Sequence, residues 1–230
     1  MKRILAPIFP SLLSAALLLC THDARAIGSA LDGFNPNANG EVFVVEVQQD
    51  GKILVGGRFS EIAGASRDRL ARLQPDGSID SSFNPSVNDG VTSIALQPDG
   101  KILIGGSFST VNGIFRDRVA RLHPDGTLDN TFSPELDNEV TFLELQSDGK
   151  ILVGGTISMV NGETRNRIAR LNSDGSLDLT FDPNANDEVS TAAVQPDGKI
   201  LVGGFFTSIG GQSRNRIARL NSDGSVDSTF

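Results

Sequence analysis

The chain contains no tryptophan, no tyrosine, one cysteine and two histidines among its 230 residues. A single cysteine excludes an internal disulfide framework, so the fold must be stabilised by the burial of apolar side chains. One cysteine and two histidines also leave no pattern of zinc ligands. Since histidine is the usual general base near neutral pH, carboxylates remain the main candidates for any acid–base chemistry.

The first 26 residues have the three parts of a secretory signal peptide. Lys2 and Arg3 form a basic start, residues 4–19 are mostly apolar, and residues 24–26 provide an A-x-A cleavage site. The apolar stretch is too short for a membrane span and is interrupted by two prolines. The sequence therefore predicts a cleaved signal peptide over 1–26 and a protein that is secreted, periplasmic or on the cell surface.

The domain that follows, residues 27–230, is expected to remain unattached to the membrane. Cys20 would be the lipidation site of a lipoprotein, but it follows Leu19, where such sites have a small residue. The net charge of the whole chain is −8. A negative surface repels nucleic acids and anionic membranes, so neither is expected as a partner.

A repeat of 49 residues dominates the sequence after the signal peptide. The triplet Asp-Gly-Lys recurs at this spacing, beginning at Asp50, Asp99, Asp148 and Asp197. A phenylalanine keeps the same step, at Phe34, Phe83, Phe132, Phe181 and Phe230. Four units follow one another without a gap: 34–82, 83–131, 132–180 and 181–229. The chain is therefore expected to build one supersecondary unit four times.

Unit 2, residues 83–131, is predicted to contain four short antiparallel strands, a to d. Residues 91–97 (VTSIALQ) predict strand a, and a Pro-Asp-Gly turn leads to strand b at 101–108, which is rich in β-branched residues. A longer connection leads to strand c at 119–123, and a second Pro-Asp-Gly turn leads to strand d at 127–132. No stretch has a sustained 3.6-residue apolar period, so we expect essentially no helix.

Tandem antiparallel four-stranded units of this length are typical of a β-propeller. The Trp-Asp pair of WD repeats and the tyrosine and tryptophan of kelch repeats are absent. The pattern LQPDGKILIGGSF, followed by NG and by R-x-R-x-A-R-L-x-x-D-G-S-L-D-x-T-F, resembles the delta-60-type repeat, a bacterial family. The resemblance covers residues 28–230 and implies an all-β propeller with no assigned activity.

The number of units predicts an incomplete ring, because four blades are few for a closed propeller. The segment GSALDGF, residues 28–34, matches strand d but has no strands a, b and c of its own. We therefore expect four units plus one extra N-terminal strand, belonging to a fragment of a longer protein. A four-bladed ring and a dimer of half-propellers are the alternatives.

The recurring Asp-Gly-Lys turn does not match a nucleotide-binding loop. Lys101 is followed by Ile102 and a strand instead of a serine or threonine and a helix, and no G-x-G-x-x-G motif is present. His123, the one histidine after the signal peptide, occupies a column that holds glutamine and asparagine in the other units, which favours a polar turn position. Recurring aspartates such as Asp76 and Asp99 are expected to bind the turn backbone.

No cofactor is expected, although calcium stays an alternative. The segment NSDGSLD, residues 172–178, is similar to the oxygen-rich end of some calcium loops, but its turn is too tight to surround an ion. Arginines recur at three positions of every unit, namely Arg67, Arg69, Arg72, Arg116, Arg118, Arg121, Arg165, Arg167, Arg170, Arg214, Arg216 and Arg219. Aspartates recur as regularly, at Asp80, Asp129, Asp178 and Asp227. This equal spacing favours ion pairs that hold the blades together, rather than a ring of anion-binding arginines.

The connections that differ between units are predicted to form a recognition face. The a–b and c–d turns are nearly identical copies, whereas the b–c and d–a connections vary, and loops on a rigid scaffold carry specificity. The candidate recognition residues in these connections are Glu41, Asp89, Ile114, Phe115, Glu135, Asp137, Glu139, Asp187 and Glu188.

Together these features predict a secreted or cell-surface binding or scaffold module, without catalysis, for an extracellular protein or glycan. A polysaccharide-acting propeller hydrolase is one alternative, but its catalytic carboxylates cannot be placed from the sequence. A calcium-stabilised adhesion repeat is the other.

Overall fold

The computed structural model describes residues 34–230. The predicted signal peptide and all but the last residue of the extra strand 28–34 lie outside the described residues. Within the described part the chain forms twenty short β-strands and no helix, as predicted. This part accordingly contains no helix that is long and apolar enough to cross a membrane.

Every unit contributes five strands in the same order: strands a and b of a main sheet, two strands of a small hairpin, and strand c. Unit 1 contains β1 (Val42–Val47), β2 (Ile53–Gly57), β3 (Glu61–Ile62), β4 (Ala65–Ser66) and β5 (Leu70–Leu73). Unit 2 contains β6 (Val91–Leu96), β7 (Ile102–Gly106), β8 (Thr110–Val111), β9 (Ile114–Phe115) and β10 (Val119–Leu122). Unit 3 contains β11 (Val140–Leu145), β12 (Ile151–Gly155), β13 (Met159–Val160), β14 (Glu163–Thr164) and β15 (Ile168–Leu171). Unit 4 contains β16 (Val189–Val194), β17 (Ile200–Gly204), β18 (Ser208–Ile209), β19 (Gln212–Ser213) and β20 (Ile217–Leu220).

The main sheet of each unit is antiparallel and has strand b in the middle. In unit 2, β6 pairs with β7 with Ile94 opposite Ile104, and β10 pairs with the other edge of β7. The predicted a–b turn connects them: Gly100 has a φ of +83°, and the Asp99 carboxylate accepts a hydrogen bond of 3.1 Å from the Lys101 backbone N–H. The predicted strands a, b and c and the turn role of this aspartate are confirmed.

The glycine pair at the end of strand b is required by the close approach of neighbouring chains. A Cβ on Gly106 would collide with the carbonyl oxygen of Gly90, where the register between β6 and β7 shifts. A Cβ on Gly105 would lie 2.8 Å from the side chain of Val140 in the next unit. The pair therefore permits the bulge within the blade and the contact between blades.

Strand d is shorter than predicted, and the main sheets have three strands each. In unit 2, the d segment meets strand c at one bridge, between Leu122 and Leu128. Asp129 then ends the pairing, because its Oδ1 accepts hydrogen bonds from the backbone N–H (3.0 Å) and the hydroxyl (2.6 Å) of Thr131. The same bridge and turn recur in the other units.

The b–c connection, predicted as a loop, contains a small hairpin. In unit 2, Asn112 and Gly113 join β8 to β9 with φ values of +52° and +76°, as a type I′ turn requires. The d–a segment runs beside this hairpin, where Val87 forms a bridge with Val111. The varied connections are therefore ordered by backbone pairing.

Neighbouring units pack through strand a and through side chains of strands b and c. Strand a of each unit lies against strand a of the next. Leu103 and Val119 of unit 2 are buried in the core of unit 3 beside Val140 and Leu143. These units form the blades of an all-β propeller, as predicted, with strand a innermost. Within residues 34–230 no strand pairing joins unit 4 to unit 1, so hydrogen-bonded strands do not close the ring.

Candidate functional site

The predicted recognition residues lie on the hairpins and the d–a segments. Ile114 and Phe115 form β9, and these residues are 42% and 60% exposed. The matching residues of the other units are Ala65 and Ser66, Glu163 and Thr164, and Gln212 and Ser213. The exposed apolar pair is therefore a feature of unit 2.

Two of the predicted acidic residues bind the scaffold. Asp137 accepts hydrogen bonds from the backbone N–H groups of Ser158 (2.9 Å) and Met159 (3.0 Å), which fixes the d–a segment to its hairpin. Burial alone would raise the pKa of Asp137, but these bonds and one from the Ser158 hydroxyl hold the pKa below its ordinary value. Glu139 accepts a hydrogen bond of 2.8 Å from the hydroxyl of Ser107 and so connects units 3 and 2.

The other predicted acidic residues do not line one common cavity. Asp89 lies 3.9 Å from Arg58 Nε, and both side chains are about half exposed. Asp187 accepts a hydrogen bond of 2.8 Å from the backbone N–H of Glu188. Glu135 lines a separate cavity of about 430 Å³. Glu41 is exposed, and its backbone carbonyl accepts a hydrogen bond of 2.8 Å from the backbone N–H of Arg58. The joint role of these residues in recognition stays a prediction.

The last of the three recurring arginines pairs with the recurring aspartate in every unit. Asp129 Oδ2 lies 2.8 Å from Arg121 Nε and 3.2 Å from Lys101 Nζ. Arg121 also donates Nη1 to the Ser173 carbonyl of the next unit at 2.6 Å, and its guanidinium lies 4.5 Å from the centre of the Phe132 ring. One arginine therefore closes its own blade and contacts the next. The same ion pair in the other units joins Arg72 to Asp80, Arg170 to Asp178, and Arg219 to Asp227.

These contacts occupy the oxygens on which the calcium alternative depended. In unit 3, the Asp178 carboxylate is bound by Lys150 (2.7 Å) and Arg170 (2.8 Å). Asp174 Oδ1 accepts hydrogen bonds from the backbone and hydroxyl of the serine two residues later. In residues 34–230 no three His, Cys, Asp or Glu side chains cluster as metal ligands.

A polar site that was not predicted lies where the inner strands reach the a–b turns. The fifth residue of strand a is Glu46 in unit 1 and Glu144 in unit 3, whereas units 2 and 4 have alanine. Repulsion from Glu144 raises the pKa of Glu46, although units 1 and 3 are not neighbours in the chain. The two carboxylates therefore lie within the range of electrostatic interaction.

Burial is the main reason why the pKa of each of these glutamates is raised. For Glu46, the repulsion from Glu144 adds to the effect of burial. For Glu144, burial outweighs a hydrogen bond from the Val194 backbone N–H, which acts in the opposite direction. A carboxyl group with a raised pKa holds its proton closer to neutral pH, which is the property that acid–base chemistry requires.

A cavity of about 830 Å³, here called the axial cavity, lies at the a–b turns of units 2, 3 and 4. Its lining includes Gln97, Glu144, Gln146, Lys150 and Gln195. One glutamine stands at the same position of every unit, at Gln48, Gln97, Gln146 and Gln195. In all four the side-chain oxygen is buried and has no hydrogen-bond partner among the described residues. Gln146 is only 8% exposed, and a buried acceptor without a partner is costly.

The axial cavity lies on the face of the a–b turns, opposite to the predicted recognition face. The recurring glutamine directly precedes the nearly identical a–b turns, which the sequence did not mark as a recognition face. The sequence signal for the site is the repeat position two residues before this glutamine. It alternates between glutamate and alanine along the units: Glu46, Ala95, Glu144 and Ala193.

Replacing Glu144 by glutamine is expected to raise the melting temperature at pH 7, because the change removes a desolvated charge and its repulsion of Glu46. The sign follows from the raised pKa: the folded protein binds this proton more tightly than the unfolded chain does. The contribution to stability is therefore lost as the pH rises from the ordinary glutamate value, about 4.3, through the raised value.

Thermal unfolding of wild type and Glu144→Gln, followed from about pH 4 to pH 8, measures this effect. The two melting temperatures should approach each other at acid pH and separate in favour of the variant at neutral pH. Asp148→Asn, at an exposed carboxylate of the same a–b turn, is the matched control and should change little. A variant that melts below wild type at pH 7 would contradict a desolvated Glu144.

The fold is similar to that of solved enzymes. Virginiamycin B lyase from Staphylococcus aureus matches with a TM-score of 0.54 at 16% identity, covering 84% of this chain and 56% of the lyase. A streptogramin B lyase structure matches with a TM-score of 0.52 at 19% identity, covering 84% and 55%. A gluconolactonase from Xanthomonas campestris matches with a TM-score of 0.47 at 18% identity, covering 80% and 60%. The chain thus spans little more than half the length of these proteins, and the likeness shows the fold alone.

These similarities correct one expectation from the sequence. The chain was expected to be a module without catalysis, but solved proteins with this propeller fold include lyases. The expectation of a non-enzymatic protein is therefore wrong, since a propeller scaffold carries catalysis as well as binding.

The sequence itself matches one family model and no curated protein. The model is described as "Domain of unknown function (DUF5122) beta-propeller", and it matches residues 48–83, 97–132, 146–181 and 195–230. Each match begins at the recurring glutamine and ends at the recurring phenylalanine. Together the four matches cover more than half of the chain. The chain therefore belongs to the DUF5122 β-propeller family, a repeat family without an assigned activity, as the resemblance in the sequence had predicted.

Proposed function

We propose that this chain is an exported β-propeller that binds a polyhydroxylated ligand of the glycan class in the axial cavity. The observation that carries the proposal is the cavity of about 830 Å³ that Glu144 lines together with three of the recurring glutamines, Gln97, Gln146 and Gln195. A sugar presents several hydroxyl donors in a fixed arrangement, and amide and carboxylate oxygens accept from them. The volume of about 830 Å³ lies within the range of small-molecule sites, about 300–1,000 Å³.

The charges at the cavity favour a neutral or cationic ligand. Lys150 and Arg170 belong to the lining, but both are paired with the buried carboxylate of Asp178. Glu144 has no arginine or lysine partner among the described residues. Asp148 in the lining likewise has no ion pair among the described residues, so the site offers acceptors and two unpaired carboxylates, which disfavours anionic ligands.

Export is the second part of the proposal. It is supported by the basic start, the apolar stretch and the A-x-A site within residues 1–26. Export would place the axial cavity in the periplasm, at the cell surface or outside the cell, where glycans are abundant partners.

A second candidate function is acid–base cleavage of the same ligand. Burial raises the pKa of Glu144, which lines the cavity, and burial together with repulsion from Glu144 raises the pKa of Glu46, which is not among the lining residues. Glycoside cleavage uses such a pair, with one carboxylic acid protonating the leaving oxygen and one carboxylate acting as base or nucleophile. This is a more specific form of the hydrolase alternative, in which Glu144 and Glu46 would be the two carboxylates.

Binding is tested with the full chain on a glycan array, followed by titration calorimetry with the sugars that bind. Gln146→Leu and Glu144→Gln should each weaken binding at least about tenfold, because each removes an acceptor or a charge from the cavity. The double variant Ile114→Ser/Phe115→Ser, on the hairpin of unit 2, is the control and should bind as wild type does.

The outcomes separate the sites and the functions. If the hairpin variant loses binding and the cavity variants keep it, the binding site lies on the recognition face predicted from the sequence. No binding to any array glycan would overturn the glycan class. Formation of cleaved product from a bound glycan, abolished by Glu46→Gln or Glu144→Gln, would assign catalysis to the pair.

A further inference from the structure

The axial cavity contains two carboxylates that no side chain of the described residues neutralises. Glu144 has no lysine or arginine partner there, and Asp148 forms no ion pair. The matching turn aspartates of units 1 and 2 differ from Asp148, because Asp50 and Asp99 lie 4.0 and 3.7 Å from the ammonium of the lysine two residues later. Both carboxylates of the cavity are therefore free to pair with a ligand.

The two cations in the lining are already neutralised. Lys150 Nζ and Arg170 Nε both bind Asp178 Oδ2, at 2.7 and 2.8 Å, and Arg170 also donates Nη1 to the Ser222 carbonyl at 2.6 Å. Asp178 is only 6% exposed, so it holds both cations against the blade. With Asp178 included, the cavity has two positive and three negative groups, which leaves one negative charge in excess.

Burial makes the ionised form of Glu144 costly. Burial is the main reason why the pKa of Glu144 is raised, and a desolvated charge without a counterion lowers stability. Glu144 also raises the pKa of Glu46 by repulsion. A cation bound beside Glu144 would supply the counterion and relieve this repulsion, so the electrostatics of the cavity favour a cationic ligand over a neutral one.

The other lining residues also favour recognition through polar groups. None of the described residues that line the cavity is aromatic, so no ring is available for a sugar to stack on. The lining instead offers the amide groups of Gln97, Gln146 and Gln195, and Gln146 is 8% exposed with a side-chain oxygen that has no partner among the described residues. Hydrogen bonds to charged groups are stronger than neutral ones, so the carboxylates are the strongest contacts that this cavity offers.

We propose that the ligand of the axial cavity is an amino sugar, bound through an ammonium group that pairs with the Glu144 carboxylate. This inference rests on the proposed function and narrows it from glycans in general to glycans with free amino groups. An ammonium group has three N–H donors and no acceptor, which matches a lining with two free carboxylates. Acetylation of the amino group removes its charge, so acetylated sugars should bind as neutral sugars do.

Three tetrasaccharides that differ at a single carbon of each ring test the inference. Tetramers of glucosamine, N-acetylglucosamine and glucose, joined by the same linkage, carry an ammonium, an acetamido and a hydroxyl group at this carbon. They are titrated into the full chain in a calorimeter at about pH 6, below the ordinary pKa of amino groups. The glucosamine tetramer should bind at least about tenfold more tightly than the other two, the gain expected from one charged hydrogen bond.

Two matched variants connect this preference to the cavity. Glu144→Gln keeps the shape of the side chain and removes its charge, so the affinities for the three tetramers should become alike. Glu163→Gln makes the same change at an exposed glutamate on β14, in the hairpin of the same unit, and should keep the wild-type preference. Far-UV circular dichroism of both variants checks that they remain folded.

The outcomes separate this inference from the proposed function. Equal affinities of wild type for the three tetramers, or no binding of the glucosamine tetramer, would overturn the amino-sugar inference, while the array alone decides whether glycans bind at all. A preference for glucosamine that Glu144→Gln leaves intact would overturn the role of Glu144. Spermidine, a linear polyamine, is the fourth ligand: if it binds as tightly as the glucosamine tetramer, the cavity recognises a cation without its sugar, and the inference is overturned.

Discussion

Replacing Asp129 by alanine is expected to lower the free energy of unfolding by about 3 kcal/mol, the order typical for the loss of one partner of a buried ion pair. Asp129 is 2% exposed, and it binds Arg121 and Lys101 as well as the turn at Thr131. Its removal leaves the Arg121 guanidinium, which is 6% exposed as a residue, without an ionic partner and frees the turn that ends the sheet.

Urea denaturation of wild type and Asp129→Ala measures the loss. Asp125→Ala is the matched control, because Asp125 makes the same turn contacts, to Thr127, but has no lysine or arginine bound to it. The control should lose much less stability than Asp129→Ala. Equal losses in both variants would show that the turn, and not the ion pair, carries the stabilisation.

The pH dependence of this difference has a defined sign. Burial would raise the pKa of Asp129, but hydrogen bonds from Thr131, Lys101 and Arg121 outweigh it and hold the pKa well below the ordinary value. A lowered pKa in the folded state means that the stabilisation is fully present above about pH 4 and is lost as the pH falls further. The stability difference between wild type and Asp129→Ala should therefore shrink in acid.

The blade could be predicted from the sequence because its signals are local. The Asp-Gly turn at Asp99 and Gly100, with β-branched runs on both sides, specifies the a–b hairpin within about fifteen residues. The hairpin of the b–c connection has an equally local signal in Asn112 and Gly113, and it was missed because each of its strands has only two residues. Backbone pairing with the d–a segment through Val87 stabilises strands too short to be recognised by periodicity.

Strand d was overestimated because its aspartate has two roles. The alternation in TLDNTF resembles a strand, but Asp129 binds the backbone two residues later and two cationic side chains on strands b and c. The tertiary contact to Arg121, eight residues earlier, makes the turn at this place more favourable than further pairing. This competition between the turn and further strand pairing depends on tertiary contacts, so secondary-structure propensities do not predict it.

The axial site could not be derived from the sequence because it depends on contacts between units that are far apart in the chain. Glu46 and Glu144 are 98 residues apart in number, and only the convergence of the inner strands makes them interact. The exposure of Val42 and Ile217 was equally hidden, since both occupy columns that are fully buried elsewhere. Identical residues thus have different surroundings at the ends of a repeat array, where the next unit is missing.

Replacing Phe132 by alanine is expected to lower the free energy of unfolding by about 4 kcal/mol, within the range for truncation of a buried aromatic side chain. Phe132 is 0% exposed and packs between the Arg121 guanidinium, 4.5 Å from its ring centre, and the c–d turn of unit 3 at Gly175. The turn is packed closely on the ring, since a Cβ at Gly175 would lie 3.1 Å from it. Small shifts of the surrounding residues therefore cannot fill the cavity that Phe132→Ala leaves.

Phe230 provides the matched comparison within the same chain. It occupies the same repeat column and faces the guanidinium of Arg219 at 5.0 Å, but it is 49% exposed because no c–d turn of a following unit covers it. Phe230→Ala should therefore lower the free energy of unfolding by about 1 kcal/mol or less, the value of an exposed cation–π contact with partial burial. Denaturation of both variants at the same concentration measures the pair, and equal losses would contradict burial by the next unit as the cause.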